Sequence, residues 1–163
     1  MRSSYQNRFG KTVTQDTHLG WWIAGDDVPA ADIDKLQALN AKAHYSGDAI
    51  GTVAKLQNGT WNQSVATGAF DATWKFAKRH GDFTISNFDG KTFGGRLHNP
   101  AGTSTFATRP YEVWNNTKNG IVTQANGKFV GPRPNQTPAG MIGNFQANSN
   151  NWKANGIFGG TRR

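Results

Sequence analysis

Cysteine is absent from this 163-residue chain, glutamate occurs once (Glu112), and Leu, Ile, Val and Phe together make up only 18% of the residues. Without cysteine there is no disulfide, thiolate zinc site, cysteine nucleophile or lipid-anchor cysteine in this sequence. No apolar run approaches the roughly 18 residues of a membrane helix, and the N-terminus has no apolar signal core. We therefore expect no transmembrane segment, and either a cytosolic chain or a mature segment without its signal or anchor.

The residues that are abundant favour strands and turns. Gly (20 residues), Asn and Thr make up about a third of the chain, and six Trp and three Tyr supply buriable area that the few aliphatic residues do not. Thr and aromatic residues favour strands, whereas Gly and Asn favour turns. The composition predicts a folded all-β protein.

Positive charge is concentrated in the last third of the sequence. The net charge is +8, and residues 113–163 hold six basic residues and no acidic one. These basic residues are dispersed rather than clustered, so we expect no nucleic-acid partner. An acidic segment, residues 26–34, could match the basic third of a second copy head to tail, which makes self-association an alternative.

The first 40 residues differ from the rest. Residues 12–25 read as one or two short strands, and residues 27–39 read as a short helix with Pro29 near its start. Ile33 and Leu36, with Leu39 as a third candidate, share one face of that helix.

From about residue 43 onward, apolar and polar residues alternate. Between residues 65 and 76, for example, Phe70, Trp74 and Phe76 fall on one face and Asp71 and Lys75 on the other. Turn signals separate such runs: Asn58-Gly59, Arg79-His80-Gly81, Asp89-Gly90, Asn119-Gly120, Asn126-Gly127 and Asn148–Asn151. The predicted strands are residues 44–55, 63–77, 81–88, 91–98, 103–108, 121–131, 139–148 and 151–160.

These runs predict a soluble eight-stranded antiparallel β-barrel with a short N-terminal strand and helix extension. The apolar faces repeatedly place Gly beside Phe or Trp, and such small-against-large alternation suits a narrow closed interior. We expect the first and last strands to pair and the aromatic side chains to fill the interior. The domain prediction is an extension at residues 1–42 and a barrel at residues 43–163.

The end of the sequence resembles the C-terminal barrel of the transferrin-binding protein B and factor H binding protein group of bacterial surface proteins. That barrel ends in three successive Gly-Phe motifs, which here are Gly127-Lys-Phe-Val-Gly-Pro132, Gly140-Met-Ile-Gly-Asn-Phe145 and Gly156-Ile-Phe-Gly-Gly-Thr-Arg162. Ala43–Gly51 resembles its first strand and Gly81–Gly90 its middle hairpin. The similarity covers roughly residues 43–163, and the family's Ala-x-Glu is replaced here by Asn135-Gln-Thr-Pro-Ala139.

The resemblance implies an extracytoplasmic setting, either secreted or at the cell surface and outer membrane. Members of the group bind transferrin, factor H or haem through different loops, so the resemblance does not identify a ligand. Fold alone does not determine function.

Catalytic and metal motifs are missing from the sequence. We find no nucleophile elbow, phosphate loop or zinc-binding helix motif, and no pair of titratable residues that the sequence places together. We therefore predict that the chain is not an enzyme, with no catalytic residue and no metal site. Haem is the one cofactor considered, and its eligible ligands are His18, His44, His98, Tyr111 and Met141.

Aromatic residues supply most of the candidate binding residues. Trp21 and Trp22 are adjacent, so on a strand one of them points outward, where either a partner or packing of the N-terminal segment on the barrel covers it. Trp61 follows a hairpin tip, and Tyr111 and Trp114 lie in the 109–119 loop. The binding candidates are Trp21, Trp22, Trp61, Trp114, Tyr111 and Arg133.

The sequence thus predicts a non-catalytic bacterial surface or secreted binding module for a protein, glycan or small ligand, with a host protein as one candidate partner. Two alternatives stay open. One is a structural, self-assembling envelope barrel of a larger protein, and the other is a haem or small-ligand carrier.

Overall fold

A computed structural model of the chain describes residues 2–6, 12–16, 21, 23–110 and 117–163. The two N-terminal strands, β1 (Arg2–Gln6) and β2 (Thr12–Asp16), pair only with each other in an antiparallel sheet. One α-helix, α1 (Ala30–Ala38), precedes the remaining strands. The other elements are β3 (Lys42–Gln57), β4 (Thr60–Lys75), a 3₁₀ turn (Phe76–Lys78), β5 (His80–Phe88), β6 (Lys91–His98), β7 (Thr105–Ala107), β8 (Thr117–Lys118), β9 (Ile121–Val130), β10 (Gly140–Ser149) and β11 (Trp152–Arg162).

Eight of these strands form a closed antiparallel barrel, as the sequence predicts. The ring runs β3-β4-β5-β6-β7-β9-β10-β11, and β11 returns to β3 along eleven residue pairs, from Trp152–Lys55 to Arg162–Tyr45. The short β8 pairs with β9 beside this ring. Closure gives each barrel strand a neighbour on both sides and so reduces the free edges that invite aggregation.

Three of the predicted turns have the backbone that their residues favour. Asn58-Gly59, Asp89-Gly90 and Asn119-Gly120 each have positive φ at both positions, between 50° and 77°. Two-residue hairpins require this conformation, and Asn, Asp and Gly adopt it at the least cost.

Two local predictions were wrong. Asn126-Gly127 lies within β9 rather than in a turn. A Cβ on residue 127 would lie 2.1 Å from the Ile142 carbonyl oxygen, so Gly is needed there for strand packing. The predicted strand 103–108 shortens to β7, because the Asn99 amide donates to the carbonyls of Thr103 and Thr105, both at 2.8 Å, and holds that segment in a turn.

Aromatic side chains fill the barrel interior. Phe70 stacks on Phe158 with ring centroids 4.4 Å apart, and Trp74 meets Phe129 edge to face at 5.0 Å. The aromatic residues exposed by 3% or less are Tyr45, Phe70, Trp74, Phe76, Phe83, Phe88, Phe93, Phe106, Phe129, Phe145, Trp152 and Phe158. The predicted inward faces of the strands are therefore confirmed.

The helix α1 packs at the end of the barrel where β4 ends and β5 begins. Its Ile33 and Leu36 belong to the main core cluster, as predicted. Leu39, the third candidate for that face, is 65% exposed. The helix ends at Ala38 and Asn40 turns the chain with a φ of 50°, so Leu39 leaves the buried face. Within the described ranges, no helix has the length and apolar character needed to cross a membrane.

Candidate functional site

The segment of residues 23–28, here called the lead-in segment, lies on the outside of the barrel along β9, β10 and β11. Ile23 packs on Gly159, since a Cβ at that position would lie 2.9 Å from the Ile23 Cδ1 atom. Further along, the carbonyl of Asp26 accepts a hydrogen bond from the Gly131 N–H at 3.0 Å, and Asp27 forms a β-bridge with Val130. The segment therefore covers apolar surface that would otherwise be open to solvent.

Trp21, a predicted binding residue, lies at the start of this covered region. It is partly buried, and its indole N–H points to the Thr52 hydroxyl of β3 at 3.4 Å. Packing of the N-terminal segment against the barrel, one of the two sequence interpretations of the Trp pair, is therefore what the structure shows for Trp21.

Beside Trp21 the outer face holds a groove of about 850 Å³. Trp21 and the lead-in residue Ile23 line one side of it, and Thr108 and Pro110 line it from the stretch after β7. Its floor is formed by β9, β10 and β11, and five amide side chains project from it: Gln124, Asn126, Asn144, Gln146 and Asn155. The volume lies within the range of roughly 300–1,000 Å³ typical of ligand sites.

Strand register brings these amides together. Asn126 is the cross-strand partner of Asn144, and Gln146 is the partner of both Gln124 and Asn155. All five side chains are exposed, and none of them makes a hydrogen bond to another described residue. Sequence reasoning missed these residues, although Gln124 and Asn126, like Asn144 and Gln146, alternate with apolar residues and so fall on the outer face.

The groove carries little net charge. Lys128 is the one charged residue among the described residues that line it. Its ammonium group forms an ion pair with the Asp27 carboxylate of the lead-in segment. The site therefore presents neutral hydrogen-bonding groups beside an indole ring.

Trp61 also lies on the outside of the barrel, beyond the groove, on β4, two strands around the ring from β11. It is 41% exposed, and the Lys153 ammonium lies 5.0 Å from its ring centroid. Trp61 pairs with Leu56 in the β3–β4 hairpin, four residues from Thr52, which places the two tryptophans about 13 Å apart along the strand. Val65 of β4, the partner of Thr52, is 53% exposed between them.

Arg133 is not part of this face. It is exposed in the loop between β9 and β10. That loop is at the opposite end of the barrel from the Trp61 hairpin, since β9 ends where β3 begins. The predicted binding residues Trp22, Tyr111 and Trp114 lie outside the described residues, as does the haem candidate His18.

The described haem candidates do not converge. His44 is exposed on the outer face, where its Nε2 lies 2.8 Å from the Asp71 carboxylate. Met141 is fully buried inside the barrel. His98 is half-buried opposite His80, with ring centroids 6.0 Å apart. Among the residues that the structure describes, no three His, Asp or Glu side chains are close enough to share a metal ion.

The acidic segment makes its contacts within the chain. Asp27 pairs with Lys128 of the basic C-terminal third, and Asp34 pairs with Arg79. The charge match that the self-assembly alternative requires between two copies is thus made, in part, inside one molecule.

No protein-family model and no curated protein matches the sequence. Among solved structures, transferrin-binding protein B from Haemophilus parasuis, described as a vaccine antigen, superposes with a TM-score of 0.53 at 16% identity, over 83% of this chain and 28% of that one. The isotype 1 transferrin-binding protein B from Neisseria meningitidis gives 0.50 at 20% identity, over 84% and 27%. The chain has the barrel fold of transferrin-binding protein B.

The transferrin-binding protein B chains are considerably longer. This chain spans under a third of the length of the two that it matches. A third structure, HpuA from Kingella denitrificans in complex with human haemoglobin, has a TM-score of 0.49 at 15% identity, over 85% of this chain and 48% of that one. At these identities the likeness to transferrin-binding protein B is one of fold, and the groove has to be interpreted from its own residues.

Proposed function

We propose that the chain is a non-catalytic binding module, secreted or at a bacterial cell surface, that binds its partner with the outside of the barrel. The observation that carries this proposal is the contrast between the two sides of the sheet. Tightly packed aromatic rings occupy the interior. The outer face holds the groove and exposes large apolar side chains.

This outer binding face consists of the groove, Trp21, Trp61 and Val65. Three of the large apolar side chains that the described residues expose, Ile23, Trp61 and Val65, lie on it. Trp is among the residues most enriched at the energetic centres of protein interfaces. The proteins that share the fold are named for binding transferrin, which supports a host protein as one class of partner.

A binding panel with two matched variants tests the proposal. The intact chain is immobilised and exposed to human transferrin, human haemoglobin and a set of neutral and acidic glycans. Trp61→Ala removes the exposed indole of the outer binding face. Leu39→Ala removes an apolar side chain at the far end of the molecule that is even more exposed, 65% against 41% for Trp61.

We expect a member of the panel to bind the wild-type chain and to bind Trp61→Ala about 30-fold more weakly, the effect of losing an interface residue worth ~2 kcal/mol. Leu39→Ala should bind like the wild type. Equal affinity in all three chains would place the contact elsewhere, and a panel without any binding would contradict the proposal.

A further inference from the structure

The groove has a composition that few ligand classes match. Its floor holds five amide side chains in two neighbouring rows of cross-strand partners. One row is Asn126 and Asn144, and the other is Gln124, Gln146 and Asn155. Each amide offers both a donor and an acceptor. From strand spacing, the rows cover about 10 Å across the three strands and about 7 Å along them. The area is comparable to one face of a disaccharide.

We infer that this groove binds a neutral carbohydrate. Sugar hydroxyl groups donate and accept at once, as amides do, so a row of unpartnered amides complements them without any need for charge. This inference rests on the proposed function, because it names the ligand class for part of the outer binding face.

Trp21 provides the apolar part of such a site. Its ring lines the groove, while its N–H is directed at the Thr52 hydroxyl on β3. Indole combines a broad apolar face with one polar atom. Held in this way beside the amides, it can cover the C–H face of a sugar ring while the amides bind the hydroxyl groups.

The charge of the groove disfavours acidic ligands. Lys128, the one charged residue among its described lining residues, is already paired with Asp27. An acidic sugar or a phosphate would have to displace that carboxylate, whereas a neutral sugar leaves the ion pair in place.

An extended peptide is a poorer match. Peptides commonly add a strand to an open sheet edge or insert apolar side chains into pockets. The barrel is closed through the β9–β10, β10–β11 and β11–β3 pairs, so these strands offer no free edge. Amide groups, rather than apolar pockets, form the floor.

Nuclear magnetic resonance of the intact chain tests the inference directly, because the amide NH₂ groups of Asn and Gln and the indole N–H give their own signals. The probes are lactose, cellobiose, maltose and N,N′-diacetylchitobiose, with 3′-sialyllactose and an uncharged Gly-Ser-Asn peptide for comparison. We expect one neutral disaccharide to shift the NH₂ signals of Gln124, Asn126, Asn144, Gln146 and Asn155.

Substitutions then locate the site. Asn144→Ala and Gln146→Ala should each weaken binding of that disaccharide by about 3- to 10-fold, the loss expected for one hydrogen bond to a neutral group. Gln136→Ala is the matched control, since Gln136 is also an exposed amide but lies in the loop between β9 and β10, away from the groove and the outer binding face. Both groove amides are exposed, so unchanged melting temperatures should show that the variants fold.

The outcomes separate this inference from the proposed function. Binding that survives both groove substitutions, or tighter binding of 3′-sialyllactose than of lactose, would overturn the neutral-sugar site. Binding of the peptide alone, or of a host protein through Trp61 without any saccharide, would overturn it and leave the proposed function standing. Failure of every probe here and in the panel above would overturn both.

Discussion

At the scale of single residues, the barrel depends on pairs of glycines that face each other across neighbouring strands. Gly51 pairs with Gly156 and Gly127 pairs with Gly143. A Cβ at residue 143 would lie 2.6 Å from the Phe158 ring, and one at residue 156 would lie 2.9 Å from the Phe145 ring. Each glycine pair therefore provides the space that an aromatic side chain fills.

Gly156→Ala should destabilise the protein for this reason. The new Cβ would lie 2.3 Å from the Ile50 carbonyl oxygen, where backbone has to move. Overpacking of this kind costs about 1–3 kcal/mol, and we expect that loss in the free energy of unfolding measured with urea. Gly159→Ala is the control on the same strand, because its Cβ would meet only the end of the Ile23 side chain. Similar losses in both variants would contradict this explanation.

At the scale of elements, Arg79 joins α1 to the barrel end. Its guanidinium donates to the Asp34 carboxylate, and to the side chains of Gln37 and Asn99 at 2.9 Å each. The hydrogen bond from Arg79 holds the pKa of Asp34 below its ordinary value. One side chain thus connects the helix to the loop that follows β6.

Asp34→Asn should loosen α1 without unfolding the barrel. The variant keeps the shape of the side chain but removes the charge that Arg79 contacts. Hydrogen exchange of residues 30–38 should become faster, while exchange in β9–β11 stays unchanged.

The control for this change is Asp32→Asn on the same helix. Asp32 pairs with Lys35 one turn away, in an exposed i,i+3 contact that contributes little. Equal acceleration of exchange in the two variants would show that Arg79 does not hold the helix in place.

At the scale of the whole molecule, we expect acid to destabilise the fold, because three titratable groups have a lowered pKa in the folded state. Burial, reinforced by nearby Arg96, His98 and Lys75 and opposed by Asp82, lowers the pKa of His80. Burial by itself would raise the pKa of Asp89, but hydrogen bonds from Lys55 and Trp152 lower it overall. The hydrogen bond from Arg79 lowers the pKa of Asp34.

All three shifts act in the same direction. A group whose pKa is lower in the folded state binds its proton first in the unfolded chain, so stability falls as the pH falls. The contribution of His80 is complete above about pH 6.5 and is lost as the pH falls below that value. The contributions of Asp34 and Asp89 are complete above about pH 4 and are lost below it.

Urea unfolding at a series of pH values checks this prediction. We expect the free energy of unfolding to decline from pH 7.5 to 5.5 and again below pH 4. His80→Gln should reduce the first decline and leave the second. A stability that is flat from pH 7.5 to 5.5 in the wild type would contradict the role given to His80.

Much of the barrel could be predicted from local pattern, whereas the candidate site could not. The inward positions of Phe70, Trp74 and Phe158 follow from the alternation of apolar and polar residues along each strand. The tight turns follow from the positive φ that Asn-Gly and Asp-Gly tolerate. Trp61 could be predicted as exposed because it follows such a turn. Leu39 could not be placed, because the residue that follows a helix is buried or exposed according to where the chain goes next.

The sequence by itself therefore determined the fold class, the inward faces of the strands and the position of the helix, because these depend on neighbours within a few residues. Only the tertiary structure decided that Trp21 lies at Thr52, that Asp27 meets Lys128, and that amides from three strands form one groove. Such contacts depend on strand register and on barrel closure, which join residues more than a hundred positions apart. No local pattern records a pairing over that distance.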